Sequence, residues 1–251
     1  MTHKDLTRVS PDPARIGGFA AIGFAVAIVL GNVIMVPAGL PSTGSPTGEV
    51  TAFFGTESGA VGVGSAVAPA AWVLATLFGA GAVAALRRSG REDARMWAAA
   101  GFAGLLLQNG AFSGVVAIRL ALASTGAEGG PATEALWALH DALFTLNGAF
   151  LALALVGMSV AGRRAGLIRR WHGVAGGLAA VLLFSSASLA VVVTDGPGPL
   201  GLLGLGGWLI WVLWTVTYGR ALLHSPRRPR GPERGAKDPG PTAPTAGVPS
   251  R

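Results

Sequence analysis

The sequence contains no cysteine and few charged residues. None of its 251 residues is a cysteine, and only 12% are Asp, Glu, Lys or Arg, whereas an average soluble domain has about 25% charged residues. The absence of cysteine excludes disulfides, thiolate metal sites and a cysteine nucleophile. A soluble chain of this length needs more surface charge, and 51% of these residues are hydrophobic. The composition therefore predicts an integral membrane protein.

Six apolar segments are long enough to cross a bilayer as helices. A hydrocarbon core of about 30 Å requires about 20 apolar helical residues, and a helix satisfies its own backbone in lipid. The pattern predicts an all-α fold, an integral membrane helical bundle of six transmembrane helices over residues 16–219, after a short N-terminal segment, 1–15. The spans are residues 16–37, 63–86, 97–123, 135–162, 174–193 and 200–218.

The Lys and Arg residues lie on one side of these spans. Three precede the first span, four lie between the second and third, four between the fourth and fifth, and seven from Arg220 onward. Arg119, within the third span, is the one Lys or Arg outside these segments. Short loops rich in Lys and Arg are cytoplasmic. This places both termini in the cytoplasm and the protein in the plasma membrane. The net charge of +7 is therefore explained by topology, and no nucleic-acid partner is expected.

The C-terminal segment, residues 220–251, is rich in proline, glycine and arginine. It has too few apolar residues to form a core, which predicts a disordered cytoplasmic tail. A basic residue close to an anionic membrane gains about 1 kcal/mol. We therefore expect the bilayer, and its anionic lipids through this tail, to be the partner.

Arg119 and Asp141 are charged residues inside the predicted spans, and His140 lies next to Asp141. At 1.5 Å per residue, all three lie about 32 Å from the cytoplasmic ends of their helices, which is in the outer interfacial zone. An unpaired charge in lipid costs several kcal/mol. The sequence therefore predicts an ion pair between Arg119 and Asp141, flanked by His140.

Three amide residues, Gln108, Asn109 and Asn147, lie deeper in the same two spans. Helical spacing aligns Gln108 with Arg119 and Asn147 with His140, so two polar stripes are expected to face each other. "GAFSG", residues 110–114, is a GxxxG pattern that favours close approach of helix backbones. One interpretation is that these residues fix the register of the third and fourth spans. The other is a polar cavity open to the outside, in which His140 and Asp141 carry protons or bind a ligand.

The first outer loop contains "EVTAFF", residues 49–54. This hexapeptide predicts either a short interfacial helix, with Phe53 and Phe54 in lipid, or a flexible loop. The sequence favours neither alternative over the other.

The sequence has no recognisable catalytic or metal-binding motif. HExxH, Walker A and Rossmann patterns do not occur, and a lone motif without its structural context is weak evidence. Ser113 in "AFSG" resembles the serine motif of rhomboid proteases, but Ala111 stands where their first glycine belongs. We therefore expect no catalytic residue, no metal and no cofactor.

Three stretches resemble small multi-pass membrane proteins of high-GC actinobacteria that are grouped as domains of unknown function. They are "ARIGGFAAIGFAVAIVLG", "LHDALFTLNGAFLALALVGMSVAG" and "GLIRRWHGVAGGLAAVLL". The resemblance covers residues 15–219 and implies a six-helix bundle in a bacterial plasma membrane. It implies no activity and no catalytic residues.

Three functions are compatible with these features. We expect a non-enzymatic accessory, assembly or envelope component. The alternative is a small-solute or proton-linked carrier whose outer vestibule uses Arg119, His140 and Asp141, with Asn109 and Asn147 along its path. A membrane-embedded enzyme ranks third, and the sequence leaves a small-molecule ligand and the oligomeric state open.

Overall fold

The computed structural model describes residues 12–125, 129–196 and 198–225. These residues form helices and connecting loops, without a strand among them. In chain order the helices are α1 (Pro13–Met35), α2 (Thr47–Thr56), α3 (Ser58–Ala66), α4 (Ala68–Arg87), α5 (Glu92–Thr125), α6 (Pro131–Arg164), α7 (Arg170–Ser188), α8 (Ala190–Val193) and α9 (Gly201–Leu223).

Six helical stretches are long and apolar enough to cross a membrane. The second is formed by α3 and α4 in succession, and the other five are the single helices α1, α5, α6, α7 and α9. The predicted all-α bundle of six spans is confirmed, and the chain is a multi-pass membrane protein. Residues 220–223, which the sequence assigned to the tail, belong to α9, because this helix continues to Leu223 and buries Leu222 completely. Residues 226–251, the rest of the predicted tail, lie outside the described residues.

The first span begins before its apolar run. Pro13 occupies the first turn of α1, and the Asp12 side chain accepts a hydrogen bond from the backbone N–H of Ala14 at 3.1 Å. An Asp at the cap followed by Pro is a strong helix start, because the cap satisfies an N–H that has no partner within the helix. This cap explains why Pro13, Ala14 and Arg15 join α1 instead of the predicted N-terminal segment.

The spans form a closed ring. Each span packs on the next one in the chain, in the order α1, α4, α5, α6, α7, α9, and α9 returns to α1. Aromatic side chains from facing helices fill the middle of the ring, such as Phe24 against Trp211 and Phe78 against Tyr218, with ring centroids 5.5 and 5.7 Å apart. The loops at residues 88–91 and 165–169 mark the arginine-rich end of this ring.

The opposite end is covered by α2, which packs on α5 and α6, while α3 is the first part of the second span. The hexapeptide "EVTAFF" lies within α2, so the helical alternative is correct and the flexible loop is wrong. Phe53 and Phe54 do not enter lipid, because both are buried in a cluster with Trp137. The Phe54 ring meets the Trp137 ring edge-on, with centroids 6.1 Å apart.

The closest backbone contact joins α5 and α6 through glycines other than the predicted pair. A Cβ added at Gly157 of α6 would lie 2.5 Å from the Gly101 Cα of α5, and one at Gly104 would lie 2.5 Å from the Ala154 N. A Cβ at Gly110 would meet nothing within 4 Å. The GxxxG pattern at residues 110–114 is therefore not the close contact, because Gly110 lies on an exposed face of α5.

Candidate functional site

Four residues form a continuous chain of hydrogen bonds at the end of the bundle opposite the arginines. The Arg119 Nε–H donates to His140 Nε2 at 2.9 Å, and His140 Nδ1 lies 3.0 Å from Asp141 Oδ1. The backbone N–H of Gly44 donates to the second carboxylate oxygen, Asp141 Oδ2, at 2.8 Å. These four residues, called the clasp below, join α5, α6 and the loop that follows α1.

The hydrogen-bond pattern determines the protonation of the His140 ring. Because Nε2 accepts a hydrogen bond from Arg119, it carries no proton. The ring proton must then lie on Nδ1, where it is donated to Asp141. His140 is therefore a neutral imidazole between a guanidinium and a carboxylate.

The sequence predicts a direct ion pair between Arg119 and Asp141, and the structure places the His140 ring between the two charges instead. Aromatic packing explains this arrangement. The imidazole is stacked parallel to the Trp137 ring at 4.4 Å and to the Phe144 ring at 6.0 Å, with interplanar angles of 10° and 5°. The spacing of 137, 140 and 144 puts the three rings on one helix face, which holds the imidazole in place.

The clasp is closed to its surroundings. Arg119, His140 and Asp141 are 5%, 3% and 2% exposed. The sequence correctly grouped these three residues, but it did not identify Gly44, which lies 97 residues before Asp141. The one available signal was the turn-forming composition of "PSTGSP" around it.

Gly44 suits its position for two reasons. It is the third residue of a tight turn in which the Ser45 N–H donates to the Ser42 oxygen at 3.0 Å, and its φ of +79° is a conformation that favours glycine. A Cβ at Gly44 would also lie 2.7 Å from the Cα of Gly196, in the loop before α9. The turn is thus pressed between Asp141 and that loop.

Substitution Gly44→Ala is expected to lower the free energy of unfolding by about 2 to 4 kcal/mol, through backbone strain and the loss of the bond to a buried carboxylate. Gly39→Ala is the matched control, because Gly39 has a φ of +93° but open space around its Cβ position. Thermal unfolding in detergent should therefore show a clearly larger loss for Gly44→Ala. Equal losses would mean that the contact with Asp141 contributes nothing.

The three amide residues do not join the clasp. The Asn109 side chain donates to the Trp72 oxygen at 3.1 Å and to Thr76 Oγ1 at 3.3 Å, which ties α5 to α4. Gln108 and Asn147 are buried, and their side-chain oxygens have no hydrogen-bond partner within the described part of the chain. The two predicted polar stripes are therefore joined through Arg119 and His140, whereas no hydrogen bond joins their amide side chains within the described residues.

The clasp offers no nucleophile. The Ser113 hydroxyl donates to the Gly110 oxygen at 2.6 Å, and both His140 nitrogens are occupied by Arg119 and Asp141. Among residues 12–125, 129–196 and 198–225, no group of three or more His, Asp or Glu side chains is placed to hold a metal ion. The arrangement connects helices and holds a loop.

Comparison of the chain with protein-family models, with curated proteins and with solved structures finds no match. Its function is therefore inferred from the contacts within the chain. Two of them matter most: the clasp, and the burial of the amides beneath it.

Proposed function

We propose that the protein is a non-enzymatic accessory or envelope component of a bacterial plasma membrane, in which the clasp locks the outer end of the bundle. Both termini lie in the cytoplasm, because the loops rich in arginine adjoin that end. The clasp then lies at the extracytoplasmic end. In the tail, the basic residues after position 225 bind anionic lipid.

One observation supports this proposal above the others: the chain of hydrogen bonds begins and ends on the protein itself. It runs from Arg119 through His140 and Asp141 to a backbone N–H of the outer loop. A ligand site needs polar groups directed into a cavity, whereas the two ring nitrogens and both carboxylate oxygens of the clasp are directed at neighbouring residues. Such a network fixes helix register and loop position.

The second candidate is a proton-linked carrier. Ionisable groups inside a membrane span often mark a proton path, and His140 with Asp141 is such a pair. The buried side-chain oxygens of Gln108 and Asn147, which lack partners within the described residues, favour this candidate. A carrier must admit water to these amides from the outside, whereas a clasped bundle keeps them dry.

The absence of cysteine from the natural sequence allows a clean test. Single variants Asn147→Cys and Gln108→Cys in intact cells should not react with a membrane-impermeant thiol reagent. Thr56→Cys, at an exposed position of the outer cover, should react from outside, and Arg95→Cys should react only after the membrane is permeabilised. Folding of each variant is checked by size-exclusion chromatography in detergent.

Reaction of Asn147→Cys from outside would contradict the closed clasp and support the carrier. Reaction of Arg95→Cys in intact cells would contradict the proposed orientation. Protection of both amide positions, together with reaction at Thr56→Cys, is the expected result.

A further inference from the structure

A cavity of about 690 Å³ lies at the arginine-rich end of the bundle, far along the helices from the clasp. It is formed by the end of α4, the loop between α6 and α7, the beginning of α7 and the end of α9. Its size suits a phospholipid headgroup or a comparable small molecule. The clasp contributes no residue to it.

The charged residues that line this cavity are all basic. Arg88, Arg169 and Arg220 line it together with His172 and His224, and no Asp or Glu side chain does within the described residues. Arg88 lies 3.3 Å from Asp12, so part of its charge is already balanced. Arg169 and Arg220 form no ion pair with any residue in the described ranges. The cavity therefore favours an anion.

The beginning of α7 adds backbone donors to these cations. Arg169 is the N-cap of α7, and its side chain makes no capping hydrogen bond. The first N–H groups of a helix have no partner within the helix and carry partial positive charge. Trp171 and His172, from this first turn, line the cavity. Helix beginnings of this kind bind phosphate when cations stand beside them.

Part of the cavity wall is apolar, next to the hydroxyl groups of Ser89, Thr217 and Ser225. Leu86 and Ile168 are buried, and Leu167 and Ala221 lie beside them. Trp171 is 55% exposed, which suits the headgroup level of a bilayer. A cavity with both cations and apolar side chains in its wall fits an amphiphile better than a free ion, because the apolar side chains accommodate glycerol and the start of an acyl chain.

We propose that this cavity binds the phosphate of an anionic phospholipid from the leaflet at the arginine-rich end, with Arg169 and Arg220 as the main cations. Basic pockets between transmembrane helices recognise anionic headgroups in this way. The residues that line the site, from Ala85 to Ser225, all precede the basic tail in the sequence. It is formed by folded helices and the loop between α6 and α7.

The test uses the full-length protein, delipidated in neutral detergent, and measures the melting temperature during titration with phosphatidylglycerol. The lipid should raise the melting temperature, since it binds the folded state. In Arg169→Gln/Arg220→Gln, half-saturation should need about 30-fold more lipid, about five-fold for each cation. The control Arg87→Gln/Arg95→Gln removes the same charge at exposed positions outside the cavity and should bind normally. The tail is present in every variant.

Three further results are informative. Arg169→Lys/Arg220→Lys should recover most of the affinity if charge in the cavity is the cause, and it also shows whether these positions tolerate change. Equal weakening in the control, or no rise in melting temperature with the parent, would overturn the proposal. Glycerol phosphate or inorganic phosphate at millimolar concentration should have no effect. An equal rise with either of these, dependent on Arg169 and Arg220, would overturn the lipid as ligand and assign the cavity to a soluble phosphate compound.

Discussion

Replacing His140 with leucine is expected to lower the free energy of unfolding by about 3 to 6 kcal/mol, because the ring makes two hydrogen bonds to charged groups and each such bond contributes about 1.5 to 3 kcal/mol. The Nε bond to His140 is the one hydrogen bond of the Arg119 side chain within the described residues. The same ring supplies one of the two donors to the Asp141 carboxylate. Leucine has a similar volume but offers neither group, so Arg119 loses this bond and Asp141 keeps the Gly44 N–H as its donor.

The loss in His140→Leu is measured by thermal or denaturant unfolding in detergent. The control is Leu139→Ala, at the neighbouring position of α6, where the side chain is 51% exposed. This substitution should change stability by less than about 0.5 kcal/mol, as surface changes usually do. A neutral or stabilising His140→Leu would mean that the imidazole is kept for a purpose other than stability.

Replacing Gly157 with valine is expected to destabilise the protein by about 3 kcal/mol or more. A Cβ at Gly157 would lie 2.5 Å from the Gly101 Cα and 2.7 Å from the Trp97 oxygen, and both of these are backbone atoms. A backbone cannot move aside as a flexible side chain can, so α5 and α6 must separate. Overpacking of this kind usually costs about 1 to 3 kcal/mol, and more where the surroundings are rigid.

The control for Gly157→Val is Gly110→Val, which makes the same change in the facing helix. Since a Cβ at Gly110 would meet nothing within 4 Å, and glycine and valine are both weak helix formers, stability should stay within about 0.5 kcal/mol. The two variants are compared by their size-exclusion profiles and their melting temperatures in detergent. A larger loss at Gly110 than at Gly157 would mean that α5 and α6 meet through the GxxxG pattern after all.

The bundle was predictable because apolar length alone indicates a transmembrane helix. The ends of the spans were less predictable. For example, α5 and α6 each have 34 residues and extend beyond their apolar runs, because α5 begins at charged Glu92 and α6 ends at Arg164. An α-helix does not stop where the bilayer ends, so charged residues continue it into the headgroup region.

The clasp was only partly predictable. Counting residues along two antiparallel helices places Arg119, His140 and Asp141 at one depth, and this grouping agrees with the structure. The order within the group depends on ring stacking between Trp137 and Phe144, which helical spacing alone does not show. The fourth member, Gly44, comes from a distant loop, and no local pattern links it to Asp141.

The glycine contacts show a similar limit. Gly101, Gly104 and Gly110 all lie in α5, and their sequence contexts are alike. Which of them faces α6 depends on the rotation of the helix, and the "GAFSG" pattern suggested the wrong one. "EVTAFF" has the composition of an interfacial helix. Phe53 and Phe54 nevertheless pack against Trp137 in a buried cluster instead of entering lipid.

The most direct test of the clasp is the coupling free energy between Arg119→Gln and Asp141→Asn. It is obtained as a double-mutant cycle of unfolding free energies, once with His140 present and once in the His140→Leu background. The structure predicts destabilised single variants and a coupling above about 1 kcal/mol with His140, falling by more than half without it. Coupling that is unchanged without His140 would mean that the two charges interact directly. Single variants as stable as the parent would contradict a structural clasp and show that these charges are kept for another purpose.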